Sequence, residues 1–379
     1  SPQQQNLLNN QKFFYFGPTM VYLLLLFSLL TIAVTSGSVI DVTSIVKTID
    51  VSRIVNGVYT EEDCALIGAA CRSPGFFHIS NHGIPKNTIE RFDEMVSAFF
   101  DLPLEEKLRI RRTEDNSRGF AHDELTKRTL DLKELYDYGH TNPDKSPCVD
   151  GINQLPDLPG FHEAISEYYE ECNKVSACLL RAIAKSLNLE PTAFDASFGE
   201  NHTSYLRLNK YPVKPGVELW TDNRSNPDEQ PEEESDSNSR KLLGVNRHFD
   251  AGALTVLRQD DKVSSLQVNV NAHNPSEGPH WVDVSPVKDA LTINVGDMIQ
   301  VLTNDEYKAP EHRVLASRNA TRYSAPFFYN PNFEATIEPQ LAGEGQKKYS
   351  KFSWLHFRLS RFAGDHKDTG KKDIQIADF

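Results

Sequence analysis

Apolar residues are distributed along this chain in three textures. From Met20 to Val34 they run almost unbroken as MVYLLLLFSLLTIAV, followed by the small and polar Thr35-Ser36-Gly37-Ser38. A run of that length suits a signal-peptide h-region better than a full membrane span. Lys12 is the only cation upstream, so a cleaved signal, a plastid-type leader and an uncleaved anchor all stay open, with Met20 a candidate start. The expected compartment follows: cytoplasmic if this segment is an artefact of the record, secretory pathway or plastid if it is a targeting signal.

The second texture has helical spacing. Glu61 to Cys71 reads as a helix, Gly75 to Ser80 as a strand, and Asn87 to Phe100 as a second helix with Ile89, Phe92, Met95 and Phe99 on one face. Between Pro159 and Leu189, Phe161, Ile165, Tyr168, Cys172, Val175, Leu179, Ile183 and Leu187 recur at three and four. That spacing predicts a long amphipathic helix with one buried stripe. Cys172 on that stripe and Cys178 beside it read as small core hydrophobes.

Beyond position 200 the runs become short: SYLRLN, ALTVL, SLQVNV, HWVDV, LTINV, MIQVL and HRVLAS, separated by Gly, Pro, Asn and Asp. Many short strands at this spacing predict a sandwich or jelly roll. Asp222 to Arg240 breaks the rhythm with seven acids against two arginines and reads as a solvated, disordered insertion.

Composition narrows the partners. Forty Lys plus Arg against 53 Asp plus Glu give a net charge of −13 over 379 residues, which argues against a nucleic-acid or anionic-membrane surface and favours small molecules. Any membrane contact is expected only through the N-terminal segment, and a monomer is expected. Five cysteines without C-x-x-C spacing indicate neither a zinc site nor a disulfide framework. The sequons at Asn201, Asn223 and Asn319 would matter only in the secretory pathway.

The candidate chemistry lies in the strand-rich half. His248 and Asp250 are two apart in NRHFDAGALTVL, so on a strand both leave one face while Phe249 points away. An H-x-D is common by chance, and His366 with Asp368 makes a second copy in a charged tail. The first copy has company, because His312 follows Asp250 by 62 residues in another strand-like run. Two imidazoles and one carboxylate leave coordination positions open, as in non-haem Fe(II) oxygenases. A hydrolytic zinc is the competing reading, but it usually needs a nearby Glu base. Here Arg322 and Ser324 follow His312 in RYSAPFF, and a guanidinium beside a hydroxyl on one strand face can clamp a carboxylate bidentately.

Taken together, GFFHISNHGIP, DLKELYDYG, LRLNKYP, HFD, LRQDDKVSSLQV, NVGDMIQVLTN, HRV and RYS occur in an order that resembles the Fe(II)- and 2-oxoglutarate-dependent dioxygenases of the isopenicillin N synthase-like family, over roughly residues 39–335. The resemblance implies a mainly β fold with flanking helices, a distorted jelly roll or double-stranded β-helix with an α/β N-terminal region. WLHFRLSRFAGDHKDTG looks like the closing helix of such enzymes. The implied order is a leader over 1–38, an N-terminal dioxygenase region over 39–150, a helical connector over 151–200, the catalytic core over 201–336 with an acidic insertion at 222–240, and a C-terminal helix and tail over 337–379.

The resemblance further implies that His248, Asp250 and His312 bind iron, that Arg322 and Ser324 hold the distal carboxylate of 2-oxoglutarate, and that Asn209 and Tyr211 make further co-substrate contacts. The implied cofactors are Fe(II), 2-oxoglutarate and O2, with ascorbate as a reductant. The implied reaction hydroxylates, desaturates or cyclises a small substrate and releases succinate and CO2. Two alternatives stay open: a 2-oxoglutarate-independent iron oxidase of the isopenicillin N synthase or aminocyclopropane-carboxylate oxidase type, and a non-catalytic binding module on the same fold. The acidic insertion stands where family members usually have a shorter link, which weakens substrate analogy with any one member.

Overall fold

The computed structural model describes residues 45–379 apart from 114, 127–128, 141–148, 150, 214–242, 318, 342–344 and 367–373. The expected leader, the acidic insertion, Cys148, Asn223 and the Asp368 of the second H-x-D therefore lie outside the described residues. Helical spacing becomes helix where expected. Glu61–Arg72 (α1) starts at Thr60, whose hydroxyl accepts from the amide of Asp63 at 3.1 Å, and Glu61, Glu62 and Asp63 occupy its positive end. Lys86–Asp101 (α2) turns Phe92, Val96, Phe99 and Phe100 inward. Phe161–Ser186 (α3) follows Gly160, whose φ of +85° suits a residue without Cβ. Its stripe from Phe161 through Tyr168 and Cys172 to Ile183 is buried in the predicted register and packs on α1 and α2. Burial pushes the Cys172 thiol far up, as befits a core hydrophobe rather than a nucleophile.

Among the described residues, twelve strands make the two principal sheets. The first four are Thr48–Asp50 (β1), Phe76–Ser80 (β2), Gly119–Ala121 (β3) and Glu134–Gly139 (β4). Next come Tyr205–Tyr211 (β5), Leu243–His248 (β6), Leu254–Gln259 (β7) and Leu266–Asn269 (β8). Trp281–Asp283 (β9), Leu291–Val295 (β10), His312–Leu315 (β11) and Arg322–Tyr329 (β12) complete them. The major sheet has eight strands in the order β1-β2-β10-β7-β12-β5-β4-β3, and the minor sheet has four in the order β9-β8-β11-β6. Only β1 and β2 pair in parallel among these strands. This is a jelly roll whose sheets do not close into a barrel.

One run behaves differently from its expected strand. MIQVL is helical, as part of Asp297–Leu302 (α4). Gly296 and Asp297 end β10, and Met298, Ile299, Val301 and Leu302 all find burial as a helix. The first amides of this turn also have acceptors waiting. Asp297 N donates to Asp250 O at 2.8 Å and Met298 N to Gly252 O at 3.0 Å, which a continued strand could not arrange.

Two apolar layers result. The larger unites α1, α2 and α3 with one face of the major sheet, and the smaller lies between the sheets, where Phe76, Tyr211 and Leu257 meet Val245, Leu266 and Val314. The chain closes with Trp354–His366 (α5), anchored by the fully buried Trp354, whose indole N–H donates to Thr203 Oγ1 at 2.7 Å. No helix among the described residues is long and apolar enough to cross a membrane.

Two outcomes are expected in chemical denaturation of the metal-free protein. Trp354→Ala should cost about 3–5 kcal/mol, since it opens a cavity and takes a donor from the Thr203 hydroxyl, while Trp354→Phe costs less. The second concerns acid. Burial lowers His78 and His202 to about 4, so between roughly pH 6.5 and 4 the unfolded chain takes up protons that the folded chain refuses. Each histidine should then remove up to about 1.4 kcal/mol of stability per unit of acidification across that window, and His202→Gln should show a shallower loss.

Candidate active site

Strand pairing brings the two histidines together. β6 and β11 are antiparallel neighbours with His248 opposite His312, and their ring centroids are 4.2 Å apart. Each ring is turned by a bond to a carbonyl two residues earlier in the chain: His248 Nδ1 donates to Asn246 O at 2.8 Å and His312 Nδ1 to Pro310 O at 3.1 Å. Both Nε2 lone pairs are thereby directed at Asp250 Oδ1, each 3.6 Å away. Asp250 itself lies just past the end of β6, in the turn that α4 caps, rather than on the strand. Its other oxygen, Oδ2, accepts from Thr255 Oγ1 at 2.5 Å and Asn294 Nδ2 at 2.8 Å.

The electrostatics suit a cation here. Burial, and then the neighbouring His312, push His248 down to about 3, so its imidazole is neutral and its Nε2 free to ligate at neutral pH. Burial pushes Asp250 up, and the hydrogen bonds donated by Asn294 and Thr255 help to hold it below the ordinary carboxylate value. One ligand atom from each of the three lies within 4.8 Å of the others. Two imidazole nitrogens and one carboxylate oxygen, each oriented by an outer partner, form a donor set for a borderline divalent metal with positions left open.

A second polar group faces the same cavity. Arg322 and Ser324 point inward from β12, opposite Tyr211 and Asn209 of β5. The Arg322 guanidinium lies 5.0 Å from the Tyr211 ring centre and donates through Nη2 to Gln259 Oε1 at 3.0 Å. Gln259 is in turn held by donating to Thr292 Oγ1 at 3.0 Å. Arg322 Nε and Nη1 and Asn209 Oδ1 are buried without a hydrogen-bond partner. Two free donors on a cation that is 1% exposed are costly unless an anion completes them. Burial already lowers the Arg322 pKa from its ordinary value, yet the group stays cationic.

All seven residues singled out in the sequence, His248, Asp250, His312, Arg322, Ser324, Asn209 and Tyr211, line one cavity of about 590 Å³. Of the second H-x-D, His366 ends α5 and Asp368 lies outside the described residues. Sequence reasoning missed the supporting shell. Thr255 and Asn294 are polar residues inside apolar strands, ALTVL and LTINV, and that interruption was the available signal. It also missed much of the charged and aromatic lining, Glu124, Lys133, Tyr205, Arg207, Phe328 and, from α5, Arg358 and Arg361. Behind it Arg112, Lys133 and Arg207 interlock with Glu124, Asp131 and Asp137, the closest contacts being 2.7 Å.

Comparison with known proteins agrees with this geometry. A family model described as the non-haem dioxygenase in morphine synthesis N-terminal region matches residues 46–158, and that of the 2OG-Fe(II) oxygenase superfamily matches 203–331. A homoarginine-6-hydroxylase of Arabidopsis thaliana is 31% identical over 314 residues, 79% of this chain and 86% of that protein. The crystal structure of a full-length Neurospora crassa protein in complex with alpha-KG and thymine superposes with a TM-score of 0.68 at 25% identity, covering 87% of this chain and 99% of that one. The JOX2 structure with 2OG, Fe and JA gives 0.66 at 28% identity, covering 88% and 91%.

The outer shell gives a direct test. Asn294→Leu removes one of the two donors to Asp250 Oδ2 without touching the ligand atoms, and divalent-metal affinity should fall about 10–100-fold in equilibrium titration. Unchanged affinity would mean that the Asn294 bond does not orient the carboxylate.

Proposed function

The chain belongs to the 2OG-Fe(II) oxygenase superfamily and is an iron- and 2-oxoglutarate-dependent dioxygenase, and on that footing we propose that His248, Asp250 and His312 hold its iron while Arg322 and Ser324 hold the distal carboxylate of 2-oxoglutarate. The relatives do not favour an oxidase that dispenses with 2-oxoglutarate, nor a module without catalysis. The observation that carries the residue assignment is the pair of unsatisfied Arg322 donors in the same cavity as the three converging ligand atoms. The donor set matches Fe(II), and the buried guanidinium matches a dicarboxylate whose other end chelates the metal.

When bound, iron and 2-oxoglutarate supply the oxidising chemistry, in which O2 is reduced as 2-oxoglutarate becomes succinate and CO2 and a small substrate is oxygenated. The protein's own part is positioning. Asn246 and Pro310 fix the imidazole tautomers, and Thr255 and Asn294 keep Asp250 Oδ1 turned to the imidazoles. Gln259 aims Arg322, with the Tyr211 ring beside it. The apolar layer of Phe76, Val245, Leu257, Leu266 and Val314 excludes bulk water from these charges and strengthens them. Asn209 donates to Ser324 Oγ at 3.4 Å, and its free carbonyl oxygen supports a role in holding that hydroxyl toward the co-substrate.

Three variants test the assignment. Anaerobic addition of Fe(II) and then 2-oxoglutarate should produce a visible metal-to-ligand charge-transfer band, lost in Asp250→Ala and His312→Ala together with 2-oxoglutarate turnover. Arg322→Ala should keep iron but raise the 2-oxoglutarate requirement by the equivalent of about 2–5 kcal/mol. Turnover at the wild-type rate in either ligand variant would remove that residue from the metal, and an unchanged requirement in the third would remove Arg322 from the co-substrate.

A further inference from the structure

The cavity is longer than the metal and co-substrate ends described above, and its remaining end has a chemistry of its own. β5 presents Tyr205, Arg207, Asn209 and Tyr211 to it in sequence, so the strand that serves the Arg322 end with Asn209 and Tyr211 continues into a second compartment with Tyr205 and Arg207. There the Tyr205 ring stacks on Phe328 at 4.7 Å and has the guanidinium carbons of Arg118, Arg207 and Arg358 at 5.5, 5.8 and 5.6 Å from its centre. Arg361 stands one turn beyond Arg358 on α5, and among the described residues it donates to neutral oxygens, those of Phe249, Ile374 and Gln375.

Charge decides what such a compartment can take. Among the described residues, the cavity as a whole is lined by Lys133, Arg207, Arg322, Arg358 and Arg361 against two acids, Glu124 and Asp250, in a chain whose net charge is −13. Asp250 faces the imidazoles. Glu124 is 4% exposed and is engaged by Arg112, Lys133 and Arg207, which hold its carboxyl well below the usual range. Among the described lining residues a cationic substrate would therefore meet no available acid, and a neutral one would draw nothing from this field. An anion would be drawn in by it, because a concave wall with an excess of one sign focuses potential into the cavity.

We propose that the substrate is a small organic carboxylate with a flat or apolar body, its carboxylate received by Arg358 beside Arg207 and its body laid against Tyr205 and Phe328. This rests on the reading that the opposite end of the cavity holds 2-oxoglutarate. Arg207 is fixed by Asp137 and Glu124 and supplies a rigid cationic floor. Arg358 lines the cavity from the closing helix, with its guanidinium carbon 5.6 Å from the Tyr205 ring centre, and the carboxylate rests against it. Arg361 contributes charge while its hydrogen bonds tie α5 to the carbonyl between His248 and Asp250, so the anion's seat is registered to the metal turn.

The test uses the full chain loaded anaerobically with Fe(II) and 2-oxoglutarate, with phenylacetate and indole-3-acetate titrated calorimetrically beside their methyl esters and with thymine as an uncharged ring. The acids should bind at least about tenfold more tightly than their esters and than thymine, with an affinity that falls as salt is raised. Arg358→Gln should bring each acid to within about threefold of its ester, and Arg358→Lys should restore part of the preference. Esters binding as well as acids, thymine binding in place of the acids, or no acid binding while the charge-transfer band is present would each overturn the proposal. A preference undiminished in Arg358→Gln would remove Arg358 from it. Absence of the band itself would instead overturn the reading on which the proposal rests.

Discussion

Two imidazoles and a carboxylate can be gathered between apolar sheets only if every atom not offered to a ligand is already engaged, and much of the local architecture serves that condition. A buried polar atom left without a partner costs about 1–3 kcal/mol, so a loosely supported triad would turn outward or collapse onto itself. Here each imidazole is bonded to a carbonyl two residues back in the chain, and the carboxylate is bonded by two neighbouring strands. The pairing of β6 with β11, the position of β7 and β10, and the switch from strand to helix at Gly296 all contribute a partner. A Cβ at Gly296 would lie 2.3 Å from Gly252 O and 2.8 Å from Asp250 O, so only glycine lets α4 approach this turn closely enough for its amides to reach the turn's carbonyls.

The same logic separates the two kinds of charge in the cavity. The six-residue cluster of Arg112, Glu124, Asp131, Lys133, Asp137 and Arg207 pairs three cations with three acids and is held rigid by its own contacts. Arg322 does not balance itself, since two of its donors are buried and idle. Self-satisfied networks build walls, and incomplete ones mark where a ligand belongs. Helices α1, α2 and α3 take no part in either, but their apolar faces cover the outer side of the major sheet and leave its inner side for polar work.

The legible parts of the chain were those governed by local periodicity. The α3 stripe could be read residue by residue because one face meets a continuous core, and Arg322 with Ser324 could be placed on one face because they stand two apart on one strand. MIQVL misled because β-branched apolar residues say nothing about the amide acceptors waiting at Asp250 and Gly252, which lie more than forty positions earlier in the chain. Asp250 was expected on the strand and stands beyond it, since the turn needed its backbone carbonyl for α4. Thr255, Asn294 and Gln259 could not be assigned roles from sequence, because each acquires its meaning only from a partner on another strand. Arg358 and Arg361 were hidden in what read as a closing helix, whose contact with the cavity depends on the last turn of the fold rather than on any spacing within it.

The order of the major sheet bears on how the molecule is made. β2, at Phe76–Ser80, lies between β1 and β10, so its longer antiparallel partner is Leu291–Val295, near the other end of the chain. A ribosome therefore extrudes most of the polypeptide before that edge of β2 can be covered, and Phe76, Phe77 and Ile79, all fully buried at the end, must wait without their pairing strand. Pairings this distant in sequence are slow to form, and an apolar strand held open in the meantime is a site for wrong association. The N-terminal region is matched as a family unit of its own, yet its central strand is completed only by the half of the chain that carries the chemistry.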